Sequence, residues 1–258
     1  MMIDSHCHLD QLDLTPYNGD LSCALRFAED QGVKHFLCVC ITLKDFPHMM
    51  EIIQPYKNVS ASLGLHPNEE VEHEPCVEDF IQLAQDKKII AIGETGLDYY
   101  RSAGDLEWQR ERFRHHIRAA QALGKPLIVH SRQAKEDTLK ILREENAASI
   151  GGILHCFTED MEMARKAMDL NFYISFSGIV TFNNAKEIQT VAREMPLERM
   201  LIETDSPYLA PVPFRGKSNQ PAYVRYVAEC IAKLRNVEVE LIAEQTTANF
   251  FKLFNGIA

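Results

Sequence analysis

Short β-rich apolar runs alternate with longer amphipathic runs along the whole chain, and this alternation limits the fold more than any other feature. The short runs fall at 2–3, 34–41, 59–65, 89–94, 126–130, 152–155, 172–175 and 200–203. Helical spacing follows each of them, at 21–31, 43–54, 77–85, 106–123, 134–144, 161–170, 185–193 and 221–234, with one more segment at 239–254. In 106–123, Trp108, Phe113, Ile117, Ala120 and Leu123 recur on one face, and Gly124 with Pro126 ends the run. Strands joined through helices must lie parallel, and eight such units close economically into a (β/α)8 TIM barrel. The rival is an open doubly wound sheet, but no Gly-x-Gly-x-x-Gly follows the first strand. No repeat or linker interrupts the pattern, so 1–258 is expected to be one barrel domain.

The polar residues sit where such a barrel keeps its chemistry. The first run leads into His6-Cys7-His8, whose alternation puts both imidazoles on one face. Other runs end at Gly64-Leu65-His66-Pro67, Gly93-Glu94-Thr95-Gly96, Val129-His130-Ser131-Arg132, His155-Cys156-Phe157 and Glu203-Thr204-Asp205. One histidine at a strand end is usually structural; six strands ending in such residues call for a shared site at the C-terminal mouth. Parity agrees: Ile128 with His130, Ile153 with His155, and Leu201 with Glu203 and Asp205 share faces.

Four imidazoles and two carboxylates exceed the three or four ligands one ion needs, so two divalent ions, magnesium, manganese or zinc, are expected. The expected ligands are His6, His8, Glu94 and Asp205 for one ion and Glu94, His130 and His155 for the other, with Glu94 as the bridge. Asp205, Glu94 and Glu203 are the catalytic candidates. Asp205 is placed to take a proton from the attacking water, and Glu203 to orient a ligand histidine through its other nitrogen. His66, Arg132, Arg215 and Lys217 are candidate phosphate contacts. Tyr99 and Tyr100 could stack a base, although one of two adjacent loop aromatics is commonly just packed.

A net charge of −10 argues against a broad basic nucleic-acid surface, but not against a metal-filled pocket that grips a strand end. Seven cysteines, an odd number without a Cys-x-x-Cys, read as reduced thiols. No apolar run reaches the length of a membrane span, and no basic segment precedes Asp4 in the manner of a secretory signal. The expected setting is the cytoplasm, with no membrane and no obligate protein partner.

These motifs together, with Asp4-Ser5-His6-Cys7-His8-Leu9-Asp10, Gly96-Leu97-Asp98-Tyr99-Tyr100, Asp205-Ser206-Pro207-Tyr208-Leu209-Ala210-Pro211 and Arg215-Gly216-Lys217, resemble the TatD family of metal-dependent deoxyribonucleases, across nearly the whole chain. The resemblance implies a TIM barrel, metal roles for His6, His8, Glu94, His130, His155 and Asp205, and trimming of single-stranded DNA ends in the 3′-to-5′ direction with magnesium or manganese. Two other readings compete. One is a metal-dependent hydrolase of a small ester, lactone, amide or phosphotriester; the other is a non-catalytic metal-binding scaffold.

Overall fold

The computed structural model describes residues 1–254; the last four residues of the expected 1–258 domain lie outside them. Eight parallel strands follow one another around a single sheet in chain order. They are β1 (Met2–Cys7), β2 (Val33–Cys38), β3 (Val59–Leu63), β4 (Ile89–Asp98), β5 (Leu127–Arg132), β6 (Gly152–Leu154), β7 (Phe172–Phe176) and β8 (Met200–Ile202). Backbone bonds just past β8 close the ring: Asp205 N–H to His6 O at 2.9 Å and His8 N–H to Ser206 O at 2.8 Å. Buried Asp4 adds a side-chain tie by accepting the Thr204 N–H at 2.8 Å. The result is a TIM barrel.

The helices α1 (Leu21–Asp30), α2 (Phe46–Ile53), α3 (Val77–Leu83), α4 (Glu107–Leu123), α5 (Lys135–Glu144), α6 (Met161–Asp169), α7 (Lys186–Glu194), α8 (Val224–Arg235) and α9 (Val239–Leu253) form the outer layer. Their starts and stops follow local chemistry. Asp20 and Asp160 accept backbone N–H groups of the first turns of α1 and α6. Gly124, at φ +64°, ends α4 in the left-handed conformation that glycine adopts without cost. Among the described residues no helix is long and apolar enough to cross a membrane. All seven cysteines are free.

Apolar side chains sort by strand face. One set packs the sheet against the helices; Ile3, Leu37, Ala91, Ile128, Ile153 and Leu201 fill the barrel, and Phe250 of α9 closes it below. Simple alternation from Ile3 would send His6 outward. The register prevents this: Asp4 pairs with Phe36 and Cys7 with Cys38, so β1 carries one extra residue. β4 does the same between Ile92 and Thr95, opposite Leu127 and Val129, and the extra residue falls beside Glu94. Two bulges therefore turn three polar side chains into the mouth.

The strand limits differ from those read along the sequence. β1 and β4 run further, to Cys7 and Asp98, because their bulged ends stay paired. β6 and β8 stop at Leu154 and Ile202, so His155 and Glu203 follow their strands instead of ending them. Past them the backbone turns sharply, with Cys156 and Asp205 at φ +44° and +57°. Such conformations cost about 1–3 kcal/mol outside glycine and persist where the surroundings hold them.

Candidate metal centre

His6, His8, Glu94 and Asp205 converge at the mouth. His6 Nε2 lies 3.3 Å from His8 Nε2, 3.3 Å from Glu94 Oε2 and 3.5 Å from Asp205 Oδ1. His8 Nε2 lies 3.3 Å from the same Asp205 oxygen. The other Glu94 oxygen faces a second set: His155 Nε2 at 2.9 Å, His130 Nδ1 at 3.2 Å and His66 Nε2 at 3.4 Å. Donors sharing a cation at about 2.0–2.2 Å stand about 3.0–3.5 Å from one another, and His6, His8 and Asp205 have that mutual spacing, while in the second set it is each histidine's distance to the Glu94 oxygen that falls in or near this range.

Hydrogen bonds on the far side of the His8 and His130 rings say which nitrogen is free, whereas Nδ1 of His6 and of His155 is buried without a hydrogen-bond partner. His8 Nδ1–H donates to Val39 O at 2.9 Å, so its Nε2 lone pair faces the site. His130 Nε2–H donates to Asp98 Oδ2 at 3.2 Å, which leaves Nδ1 as the free donor atom. His155 Nδ1 faces Glu203 Oε1 at 3.4 Å and turns Nε2 to Glu94. A carboxylate or carbonyl hydrogen-bonded behind a histidine, as at His8 and His130, fixes the tautomer that binds metal. His66 is the opposite case: its Nδ1 accepts the Asn68 N–H at 3.1 Å, so its Nε2 carries the proton. A neutral His66 can donate a hydrogen bond into the mouth and has no lone pair to offer there.

The electrostatics follow. Burial opposes charge on His155, yet Glu94 and Glu203 raise its pKa well above the usual histidine value. Burial opposes charge on His8 and His130 too, and Asp205 for one, Asp98 and Glu94 for the other, raise them. Burial would raise Glu94, but His155, His66 and His130 hold it well below the usual carboxylate range. Burial, opposed by Glu94 and reinforced by His130 and His155, lowers His66 to about 4, which keeps it neutral. These histidines gather around carboxylates that stay ionised, and a cation is the natural companion of that set. His8 Nε2, whose lone pair faces the site, stands 3.3 Å from His6 Nε2, a separation that suits either a proton or a cation between them. The donor set therefore fits divalent metal.

The other expected site residues separate. Glu203 is fully buried; it accepts the Cys156 N–H at 2.7 Å and lies within 4.8 Å of ring nitrogens of His6 and His155. It sits beneath the rings, where it can position them but not touch substrate. Arg132 lies over the Tyr100 ring at 3.9 Å and Arg215 over Phe182 at 4.3 Å. Lys217 is exposed and its side chain makes no bond among the described residues. Tyr99 is tied through its hydroxyl to Asp137 at 2.7 Å and Arg110 at 3.1 Å, whereas Tyr100 is free.

Asp98 escaped the sequence reading as a functional residue. Besides holding His130, it accepts the Tyr100 and Arg101 N–H groups at 2.9 Å each and the Asn68 amide at 2.9 Å. The available signal was parity, since Asp98 lies four residues beyond Glu94 on one strand and so shares its face. His116 escaped as well. It is buried in α4, accepts the Leu65 N–H at 3.0 Å, and so braces the segment that carries His66.

The family model described as TatD related DNase matches residues 3–255. A protein of Escherichia coli K12 named uncharacterized metal-dependent hydrolase YcfH is 51% identical over 255 residues, covering 98% of this chain and 96% of its own length. The Bacillus subtilis metal-dependent hydrolase YabD is 42% identical, with 98% and 99% covered. The crystal structure of the E. coli TatD homologue YjjV superposes with a TM-score of 0.90 at 28% identity, over 98% of both chains.

Proposed function

The chain belongs to the TatD-related DNase family of metal-dependent hydrolases, and from that premise we propose that it hydrolyses phosphodiester bonds at single-stranded DNA ends, trimming 3′ to 5′. The observation that carries this reading is Glu94, whose two carboxylate oxygens face separate donor sets. In the proposed assignment His6, His8, Glu94 and Asp205 would hold one ion, and Glu94, His130 and His155 the other. When bound, divalent ions would supply positive charge that polarises the phosphate and makes water more acidic.

The chain's own groups supply the rest. Asp205, 13% exposed in its side chain, opens to the mouth and accepts the proton of the attacking water. His66 donates its Nε2–H to a phosphate oxygen, consistent with its tautomer. Arg132 has no carboxylate partner among the described residues, which leaves its guanidinium for a phosphate. Arg215 and Lys217, on the loop beyond β8, meet the strand further out. Glu203 and Asp98 keep His155 and His130 turned toward the ions.

The test is product mapping on 3′- and 5′-labelled oligonucleotides with protein whose metal content is known from elemental analysis. The expected result is two divalent ions per chain and stepwise loss from the 3′ end. Asp205→Asn should lower the rate about 10²–10⁴-fold with the fold intact by circular dichroism. Cleavage by Asp205→Asn at the wild-type rate would refute the mechanism. The acidic stretch Glu69–Asp79 beside the end of β3 favours a second reading, hydrolysis of a small ester, lactone, amide or phosphotriester. A panel of such substrates run beside the oligonucleotides separates the two.

A further inference from the structure

Two tyrosines at the mouth are exposed where packing gives no reason for it. Tyr100 is 59% exposed and Tyr208 49%. Scattered exposed aromatics are ordinary. These two are each held by short links to the ion cage. The Tyr100 N–H bonds the Asp98 carboxylate that also holds His130. The Tyr208 ring stands edge-on to His8 at 5.9 Å, and its N–H bonds Asp205 O at 2.9 Å. Its hydroxyl donates to Gln11 at 2.7 Å, and the amide of buried Asn219 holds its carbonyl at 2.6 Å. The Tyr208 ring is thus held through its hydroxyl, the Tyr100 ring carries the Arg132 guanidinium on one face at 3.9 Å, and both remain open to solvent. Their neighbours are not: Tyr99 and Phe182 are half-buried.

We propose that Tyr208 and the Tyr100–Arg132 pair are stacking platforms for unpaired nucleobases, one on each side of the ion cage. This rests on the reading of the protein as a DNA-end hydrolase and names what recognises the strand. Every base offers a π face, so aromatic platforms bind single strands with little regard for sequence. A base in a duplex is already stacked and paired, and cannot reach such a ring without leaving its neighbours. Arg132, stacked over Tyr100, keeps its N–H groups for the phosphate of the nucleotide whose base the ring takes. The platforms thereby restrict the site to strands whose terminal nucleotides are unpaired.

The experiment uses the full metal-loaded protein and matched single-stranded oligonucleotides, with normal or abasic nucleotides at the terminal two positions. Tyr100→Ala and Tyr208→Ala should each raise KM about 5- to 100-fold on the base-bearing strand. The same changes should leave KM nearly unaltered on the strand abasic at the matching position. Tyr208→Phe, which keeps the ring, should recover most of the loss. 2-Aminopurine at those positions gives a direct signal, quenched on binding to wild type and not on binding to the alanine variant. Unchanged KM in both alanine variants, or an equal rise on base-bearing and abasic strands, overturns the platforms while the hydrolase reading stands. A wild-type protein inert on every strand overturns that reading, and the platforms with it.

Discussion

Replacing Asp98 by asparagine tests the logic of the metal centre at its least obvious point. The change keeps shape and keeps Oδ1 as acceptor for the Tyr100 and Arg101 N–H groups. It places an amide NH₂ where Oδ2 now accepts from His130 Nε2 at 3.2 Å and from the Asn68 amide at 2.9 Å. That NH₂ then confronts two donors, His130 Nε2–H and the Asn68 amide, and the clash with His130 is relieved only if the imidazole moves its proton to Nδ1. That move removes the lone pair directed toward Glu94. Losing the partner behind a ligand histidine typically costs 10- to 100-fold in metal affinity, about 1.4–2.7 kcal/mol. Asn68 cannot simply flip its amide, because its Oδ1 accepts the Ser102 hydroxyl at 2.9 Å. A further stability loss of about 1–3 kcal/mol is expected from the mismatched buried donors. Calorimetric titration of manganese into chelator-treated protein measures the first effect and urea unfolding the second. Nitrogen NMR of the His130 ring reports the tautomer directly. Wild-type affinity in Asp98→Asn, with the His130 proton still on Nε2, would refute the argument.

Two other perturbations follow from the same geometry. Burial lowers the His116 pKa to about 3 against the raising effect of its hydrogen bond to the Arg112 carbonyl, so the folded state holds it neutral while the unfolded chain protonates near 6.5. Below 6.5 the unfolded state binds more protons, so this contribution is complete above that value and is lost as pH falls toward 3, by about 2 kcal/mol at pH 5. Urea titrations at pH 7 and pH 5 should show His116→Gln losing about 2 kcal/mol less than wild type on acidification, and equal losses would refute the assignment. At Gly96, with φ +126°, an added Cβ would overlap the His130 carbonyl oxygen. Gly96→Ala should therefore cost about 3 kcal/mol in thermal or urea unfolding and weaken metal binding through His130, and an unchanged melting temperature would count against this packing.

Much of this protein was legible along the chain, and the reason is covalent. Strand and helix periods come from backbone geometry, so alternating runs disclosed the barrel, and pairs such as Ile128 with His130 disclosed an inward face. The gathering of His6, His8, Glu94, His130, His155 and Asp205 at one mouth followed once the strands were taken as parallel. Other features depended on partners that meet only when the barrel closes. The bulges that turn His6, His8 and Glu94 inward exist only in register with β2 and β5. Asp98 serves His130 across 32 positions, and Asp4 ties Thr204 across 200. Which nitrogen His66 exposes, and which of Tyr99 and Tyr100 stays free, were likewise decided by hydrogen bonds. A local sequence sets the direction of a side chain, but its tautomer, its charge and its freedom are set by whatever the closed fold brings against it.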